Sequence, residues 1–377
     1  MRKKVKKAAV LLLALVLIFT NGAVSFAEAD NGNKATVFSL QQAVDYALQH
    51  SPLIGISETG LEKATVGLKE ANSAYKKADD APVVAFESKL AKEGYYKRIA
   101  EQAFKLAKKS KEQTVESIRF AVESSYFNLL NARENLEIQE KNLELAQKNL
   151  ELAQKKYELG TISEIEVLSF KTAYLQAEID RKSALRALEY QRMNFNKTLG
   201  LPLQTEVQLT DTLTTQPPAA IELEEKVSQA LQERMEVISA SEQNEIDNLY
   251  FRIVSIWYPQ NTYIYQKAKH AAESSEYALA NIRQTVELSV RKAYMDMLDA
   301  YEMLDVLRQS EEQMAKAYEI SRLKYENGMG TNNEVLEAMN NLREIRLKWS
   351  QALLGYNLAC KNFEISCKVG LSGAASN

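Results

Sequence analysis

Tyr157-Glu-Leu-Gly160-Thr-Ile-Ser163-Glu-Ile-Glu166-Val167-Leu168 returns 168 residues later as Tyr325-Glu-Asn-Gly328-Met-Gly-Thr331-Asn-Asn-Glu334-Val335-Leu336. Each stretch stops one helix and starts another. A glycine follows a long helical pattern, where the chain past a helix end takes the left-handed conformation. Three residues on stands Ser163 or Thr331, and three beyond that Glu166 or Glu334. Ser/Thr-x-x-Glu is the reciprocal capping box that opens a helix, so these four are the expected helix caps. Each cassette is therefore a tight helical hairpin, and two of them in one chain predict an internal repeat.

Upstream of the first cassette the heptad is strict. Val115, Val122, Leu129, Leu136, Leu143, Leu150 and Tyr157 occupy one position, and Ile118, Ser125, Ala132, Gln139, Ala146 and Ala153 the companion position. That spacing is a left-handed coiled-coil seam. The span Val115 to Leu159 predicts a rod of roughly 68 Å. A second stripe, Ile138, Leu145, Leu152 and Leu159, lies two positions around the helix. Two stripes predict neighbours on both flanks, as in the wall of a bundle or closed barrel. The return helix is expected over about Ser163 to Leu199, and the second repeat follows the same plan with a more polar seam, Glu311 standing where the first has Leu143.

Further out, Leu40-Gln-Gln-Ala43-Val44-Asp-Tyr-Ala47-Leu48 and Leu223-Glu-Glu-Lys-Val227-Ser-Gln-Ala230-Leu231 read as short amphipathic helices 183 residues apart. The first repeat thus holds 15 extra residues between its opening helix and its long helix. Leu199-Gly200-Leu201 and Val369-Gly370-Leu371 close the return helices alike. Pro202, Pro217 and Pro218 amid threonines mark a linker, with a short strand expected around Glu206 to Thr210. The expected organisation is a signal peptide over 1–27, a first repeat over 36–203, a linker over 204–218, a second repeat over 219–371 and a tail over 372–377.

The signal reading rests on Arg2, Lys3, Lys4, Lys6 and Lys7, an apolar run from Ala8 to Phe19, and Ser25-Phe26-Ala27. That run is shorter than the roughly 20 residues a spanning helix needs. Loss of its five cations takes the net charge from -3 to -8, which argues against nucleic acid as a partner. Cys360 and Cys367 lie seven apart on a helical pattern, too far to bridge one another, and read as packing residues. His50 and His270 lack metal-ligand spacing, and no phosphate-binding glycine loop is present. Nothing here points to an enzyme, a metal or a cofactor.

The ordered set resembles the TolC family of outer-membrane efflux ducts: opening helix, long helix, Tyr-x-x-Gly-x-x-Ser/Thr-x-x-Glu-Val-Leu turn, return helix and Leu-Gly-Leu or Val-Gly-Leu, then all of it again. The resemblance covers nearly the whole mature chain. It implies a mainly α fold, two repeats of long antiparallel coiled-coil hairpins, closing as a homotrimer into a TolC-like α-helical barrel. It also implies that the hairpin tips dock a membrane-fusion adaptor and, behind it, an inner-membrane pump. Carried over by position, the tip residues are Tyr157, Gly160, Ser163, Val167 and Leu168, with Tyr325, Gly328, Thr331, Val335 and Leu336. The family often places Asp before the Val, whereas both copies here have Glu.

A larger departure lies at the opposite end, where the family inserts a β-hairpin in each repeat. A membrane-crossing strand takes about 9–11 residues. Ala81-Pro82-Val-Val-Ala-Phe86 cannot supply two, and Tyr250 to Tyr265 holds only two short apolar runs around Pro259-Gln-Asn. That second stretch reads either as a hydrophobic connection between helices or as a stunted, membrane-touching hairpin. The expected barrel is therefore α-helical with little or no transmembrane β-barrel, in the cell envelope and, by resemblance, at the outer membrane. Two function classes follow: a passive export duct, or a non-conducting envelope spacer built from the same hairpins.

Overall fold

The computed structural model describes residues 36–370, so the expected signal peptide and the tail lie outside the described residues. A strand β1 (Thr36–Phe38) leads into α1 (Leu40–His50), α2 (Pro52–Asp79) and a short α3 (Phe86–Lys92). The first long hairpin is α4 (Tyr95–Glu158) with α5 (Glu164–Leu199). After β2 (Val207–Leu209) the plan recurs as α6 (Leu223–Glu233), α7 (Met235–Trp257), α8 (Tyr263–Glu326) and α9 (Asn332–Ser366). Both ends of α8 lie 168 residues beyond those of α4, and each helix is 64 residues long. At 1.5 Å per residue each spans about 96 Å.

The rod is thus longer than the heptad alone implied. It begins at Tyr95, twenty residues before Val115. This stretch contains no glycine or proline, so helix propensity carries it onward, while its apolar residues face α2 and α7 rather than one seam. Arg98 and Lys105 of α4 reach Glu242 of α7 at 2.6 and 2.5 Å, and Glu242 is buried between them.

α4 lies between α5 and α9, and α9 between α4 and α8. Leu143 and Leu150 of the first stripe and Leu145 and Leu152 of the second all pack on one core between the hairpins. Ala146 and Ala153 are fully buried and permit close approach; with Phe170, Ala177, Tyr318, Tyr325, Val335 and Met339 they form a core shared by all four long helices. Polar groups are interleaved on the α4–α9 face. The Asn131 amide donates to the Ser350 carbonyl at 2.9 Å and the Ser350 hydroxyl donates to Glu134 at 3.0 Å; nearer the tips, the Tyr318 hydroxyl of α8 donates to Asn149 of α4 at 3.3 Å. Burial raises the Glu134 carboxyl above its ordinary range, against the opposing Ser350 hydrogen bond.

The repeats match in side chains as well as in backbone. Tyr126 meets Phe195 edge-on at 5.8 Å, and 168 residues later Tyr294 meets Phe363 at 5.5 Å. α1 buries Ala43, Val44 and Ala47, and α6 buries Val227 and Ala230, each against its long helix. The strand expected near Glu206 to Thr210 is β2, and its partner is β1, paired in parallel with Phe38 opposite Leu209. The Tyr126 hydroxyl secures this junction, donating to Asp211 at 2.7 Å, and burial with that carboxylate pushes its pKa up to about 12. Residues 214–216 are held on α9, where Asn357 exchanges hydrogen bonds with Thr214 and the Tyr356 hydroxyl donates to Gln216 O.

At the far end, Tyr250–Trp257 closes α7 and Tyr263 opens α8, so the apolar stretch around Pro259 is a connection between helices and no strand forms there. The first repeat spends its extra length at the same place. Residues 80–94 separate α2 from α4, against 258–262 between α7 and α8, and α2 has 28 residues to the 23 of α7.

Candidate docking tip

The two turns that join α4 to α5 and α8 to α9 have the same backbone. Gly160 sits at φ +71° and Gly328 at φ +73°, and a Cβ on either would meet open space, so the requirement is conformational rather than steric crowding. Thr161 N–H donates to Lys156 O at 2.9 Å and Met329 N–H to Lys324 O at 2.8 Å, closing each helix with the wide six-to-one bond.

The next helix then opens on its cap. Thr331 is capped reciprocally: its N–H donates to Glu334 at 3.1 Å and its hydroxyl accepts from Glu334 N–H at 3.3 Å. In the first copy the Ser163 N–H donates to Glu166 at 2.9 Å, but the hydroxyl also turns to that carboxylate, at 3.1 Å. The glutamate half of the box is common to both tips.

Side chains distinguish what the backbone repeats. Tyr157 is 47 % exposed, whereas Tyr325 is 3 % exposed. Tyr325 lies against Phe170 of the first hairpin at 5.4 Å between ring centres, and Lys156 covers its ring at 4.6 Å while donating to its carbonyl. Burial and the nearby Glu166 raise the pKa of its hydroxyl, which has no partner among the described residues. Val335 is fully buried, while its counterpart Val167 is half-buried. Leu336 joins the shared core, and Leu168 is exposed. Asp180 of α5 and Arg343 of α9 pair at 2.5 Å and tie the hairpins together further back.

Of the expected tip residues, Tyr157 and Leu168 thus offer side chains to solvent, Gly160, Ser163, Gly328 and Thr331 shape the turns, and Tyr325 and Val335 pack inside. Sequence reasoning missed Leu159, Ile165 and Met329, all exposed beside the turns. Leu159 was expected to end a buried stripe. The α4 helix stops at Glu158, so no neighbouring helix continues past it. An apolar residue adjoining the left-handed glycine was the available signal.

His50 ends α1 and stacks on Tyr46 at 4.1 Å, and His270 is exposed beside Glu273. Cys367 is buried in the α6–α8–α9 core, and Cys360 packs against it.

Residues 97–201 and 260–359, more than half of the chain and most of both long hairpins, match the family model for outer membrane efflux proteins. The chain belongs to that family. This outer membrane efflux protein is also similar in fold to the Vibrio cholerae outer membrane protein VceC, with 13% identity, a TM-score of 0.72, and coverage of 88% of this chain and 97% of that one. The Campylobacter jejuni CmeC outer membrane channel gives 16% identity and a TM-score of 0.69 over 89% of this chain and 87% of that one. A membrane protein from Pseudomonas aeruginosa gives 13% and 0.70 over 89% and 92%. Comparison with curated protein sequences returns no match. The resemblance to TolC is a true membership, and the family's channels are passive conduits, so this efflux protein is not an enzyme.

Proposed function

We propose that three copies of this chain close a helical export duct in the cell envelope, and that its hairpin tips dock a membrane-fusion adaptor with an inner-membrane pump behind it. The observation that carries the reading is the α4–α9 interface. By the 168-residue offset α8 corresponds to α4 and α9 to α5, so the α4–α9 contact has a counterpart between α8 of one copy and α5 of the next. Those are the outer helices of the four, and both expose apolar stripes: Leu175, Ile179 and Leu185 on α5, Leu288, Met295 and Val306 on α8.

Polar groups correspond too. Asn131 and Glu134 face Ser350 within the chain. By the same offset exposed Asp299 and Glu302 would face exposed Lys182 of the next copy, which pairs with Glu178 in its own chain and could turn to them across the joint. The exposure of Tyr157 follows as well, since its counterpart Tyr325 is covered by the neighbouring hairpin.

Light scattering on the mature protein is expected to give a trimer. Lys182→Glu should weaken it and Asp299→Lys should restore it in the double variant. Replacing Gly160 and Gly328 with valine should abolish adaptor binding in a pull-down while circular dichroism stays nearly unchanged. A monomer with no affinity for any adaptor sinks the proposal. The spacer reading draws support from one observation, the strandless connections at the opposite end. Defined ion conductance after reconstitution would exclude it.

A further inference from the structure

The connections remote from the tips come together as one surface. Phe86 of the first repeat lies 5.1 Å from Tyr258 and 6.2 Å from both Tyr250 and Trp257 of the second, and Tyr95 lies 5.4 Å from Tyr250. Above this platform the apolar side chains point outward: Val84 is 81 % exposed, Ile256 70 % and Tyr263 82 %, with Trp257 and Tyr96 exposed beside them. Val84 and Ile256 stand at the connections themselves, while Tyr263 opens α8 as the counterpart of Tyr95.

Charge separates this end from the other. Residues 76–98 and 250–270 carry nine Lys and Arg against four Asp and Glu, in a chain with 47 of the former and 50 of the latter. At the tips, residues 151–168 and 319–336 carry four against seven. Lys97, Arg98 and Lys269 pair with Glu101, Glu242 and Glu273 just outside these segments, which leaves exposed Lys76, Lys77, Arg252 and Lys267 without an ion pair among the described residues.

We propose that this end seats on an anionic lipid surface, with Val84, Ile256, Trp257 and Tyr263 in the interfacial layer and the flanking lysines and Arg252 on the headgroups. Trp and Tyr favour the depth where ring and headgroup meet, and Lys and Arg follow the negative surface potential. A soluble polyanion would engage the cations and leave the aliphatic side chains in water, so the apolar half of the patch selects lipid. The seat is interfacial: the five-residue connection 258–262 is shorter than a crossing strand, and no helix among the described residues is long and apolar enough to cross a membrane.

The chain has two tryptophans, Trp257 and Trp349, so Trp349→Phe leaves a single reporter in the patch. The mature chain is used, because the apolar run of residues 8–19 would itself bind lipid. It should float with vesicles containing about one quarter phosphatidylglycerol and only weakly with phosphatidylcholine alone. Trp257 emission should shift to the blue and be quenched by brominated acyl chains. The triple variant Val84→Asp, Ile256→Asp, Tyr263→Asp should lose at least about tenfold in vesicle affinity with helicity and oligomeric state unchanged.

Absence of flotation with either vesicle overturns the proposal, as does flotation that the triple variant leaves intact. Binding to heparin that competes with vesicles, with no shift of Trp257, assigns the patch to a polyanion instead. A triple variant that changes oligomeric state but still floats assigns it to contacts between copies. Adaptor affinity enters none of these readouts, so failure here leaves the docking proposal standing.

Discussion

The two ends of the long helices are built by different rules. At the tips each connection is five residues, 159–163 and 327–331, with a left-handed glycine and a glutamate cap in both copies. At the opposite end one connection is three times the length of the other, and what joins them is a cluster of aromatic rings from both repeats. The tip backbone is specified within a dozen residues, so it survives in both copies regardless of neighbours. The far end is specified by contacts between residues more than 150 positions apart, so its two halves can differ as long as the rings still meet.

This contrast can be broken by perturbing each end. The largest expected effect is at Tyr325, buried between the hairpins: Tyr325→Ala should cost about 3–5 kcal/mol by urea unfolding, whereas Tyr157→Ala in a monomeric background should cost less than about 1. Equal losses would show the tips to be equivalent in packing as well as in backbone. At the opposite end, Glu242→Ala removes the buried carboxylate that Arg98 and Lys105 share; because Arg98 keeps Glu245 and Lys105 is exposed, about 1–2 kcal/mol is expected, with faster amide exchange in α7 than at the tips.

Gly160→Ala and Gly328→Ala should each cost about 1–2 kcal/mol, the strain of a left-handed residue bearing a Cβ. Unequal values would mean that side-chain packing, rather than turn geometry, controls the tips. The smallest change is midway along the α4–α9 interface. The Glu134 carboxyl is raised by burial, so its contribution is fully present below the ordinary glutamate range and is lost as pH rises through the folded value. Glu134→Gln should therefore raise Tm slightly at pH 7, by the equivalent of less than about 1 kcal/mol, and the gain should vanish below about pH 4.

Much of this was legible in residue order. The paired glycines and glutamates located both turns, the two stripes on α4 required two neighbours, and the unequal repeat offsets pointed to the end where the connections differ. The start of α4 was not legible from the heptad, because before Val115 the helix faces α2 and α7 separately and a single seam no longer describes it. Nor were Asn131 and Ser350, which the α4–α9 contact buries against one another, or Asn149, which meets Tyr318 of α8 and Met339 of α9.

Local chemistry therefore determined the helices, their caps and the sense of each hairpin, since left-handed glycines, capping glutamates and heptads act over a few residues. Which of two matched residues is buried was decided only when the hairpins packed. Tyr157 and Tyr325 occupy the same place in the same motif, yet one chain supplies a neighbour for the second and none for the first, and burial belongs to the neighbour rather than to the motif.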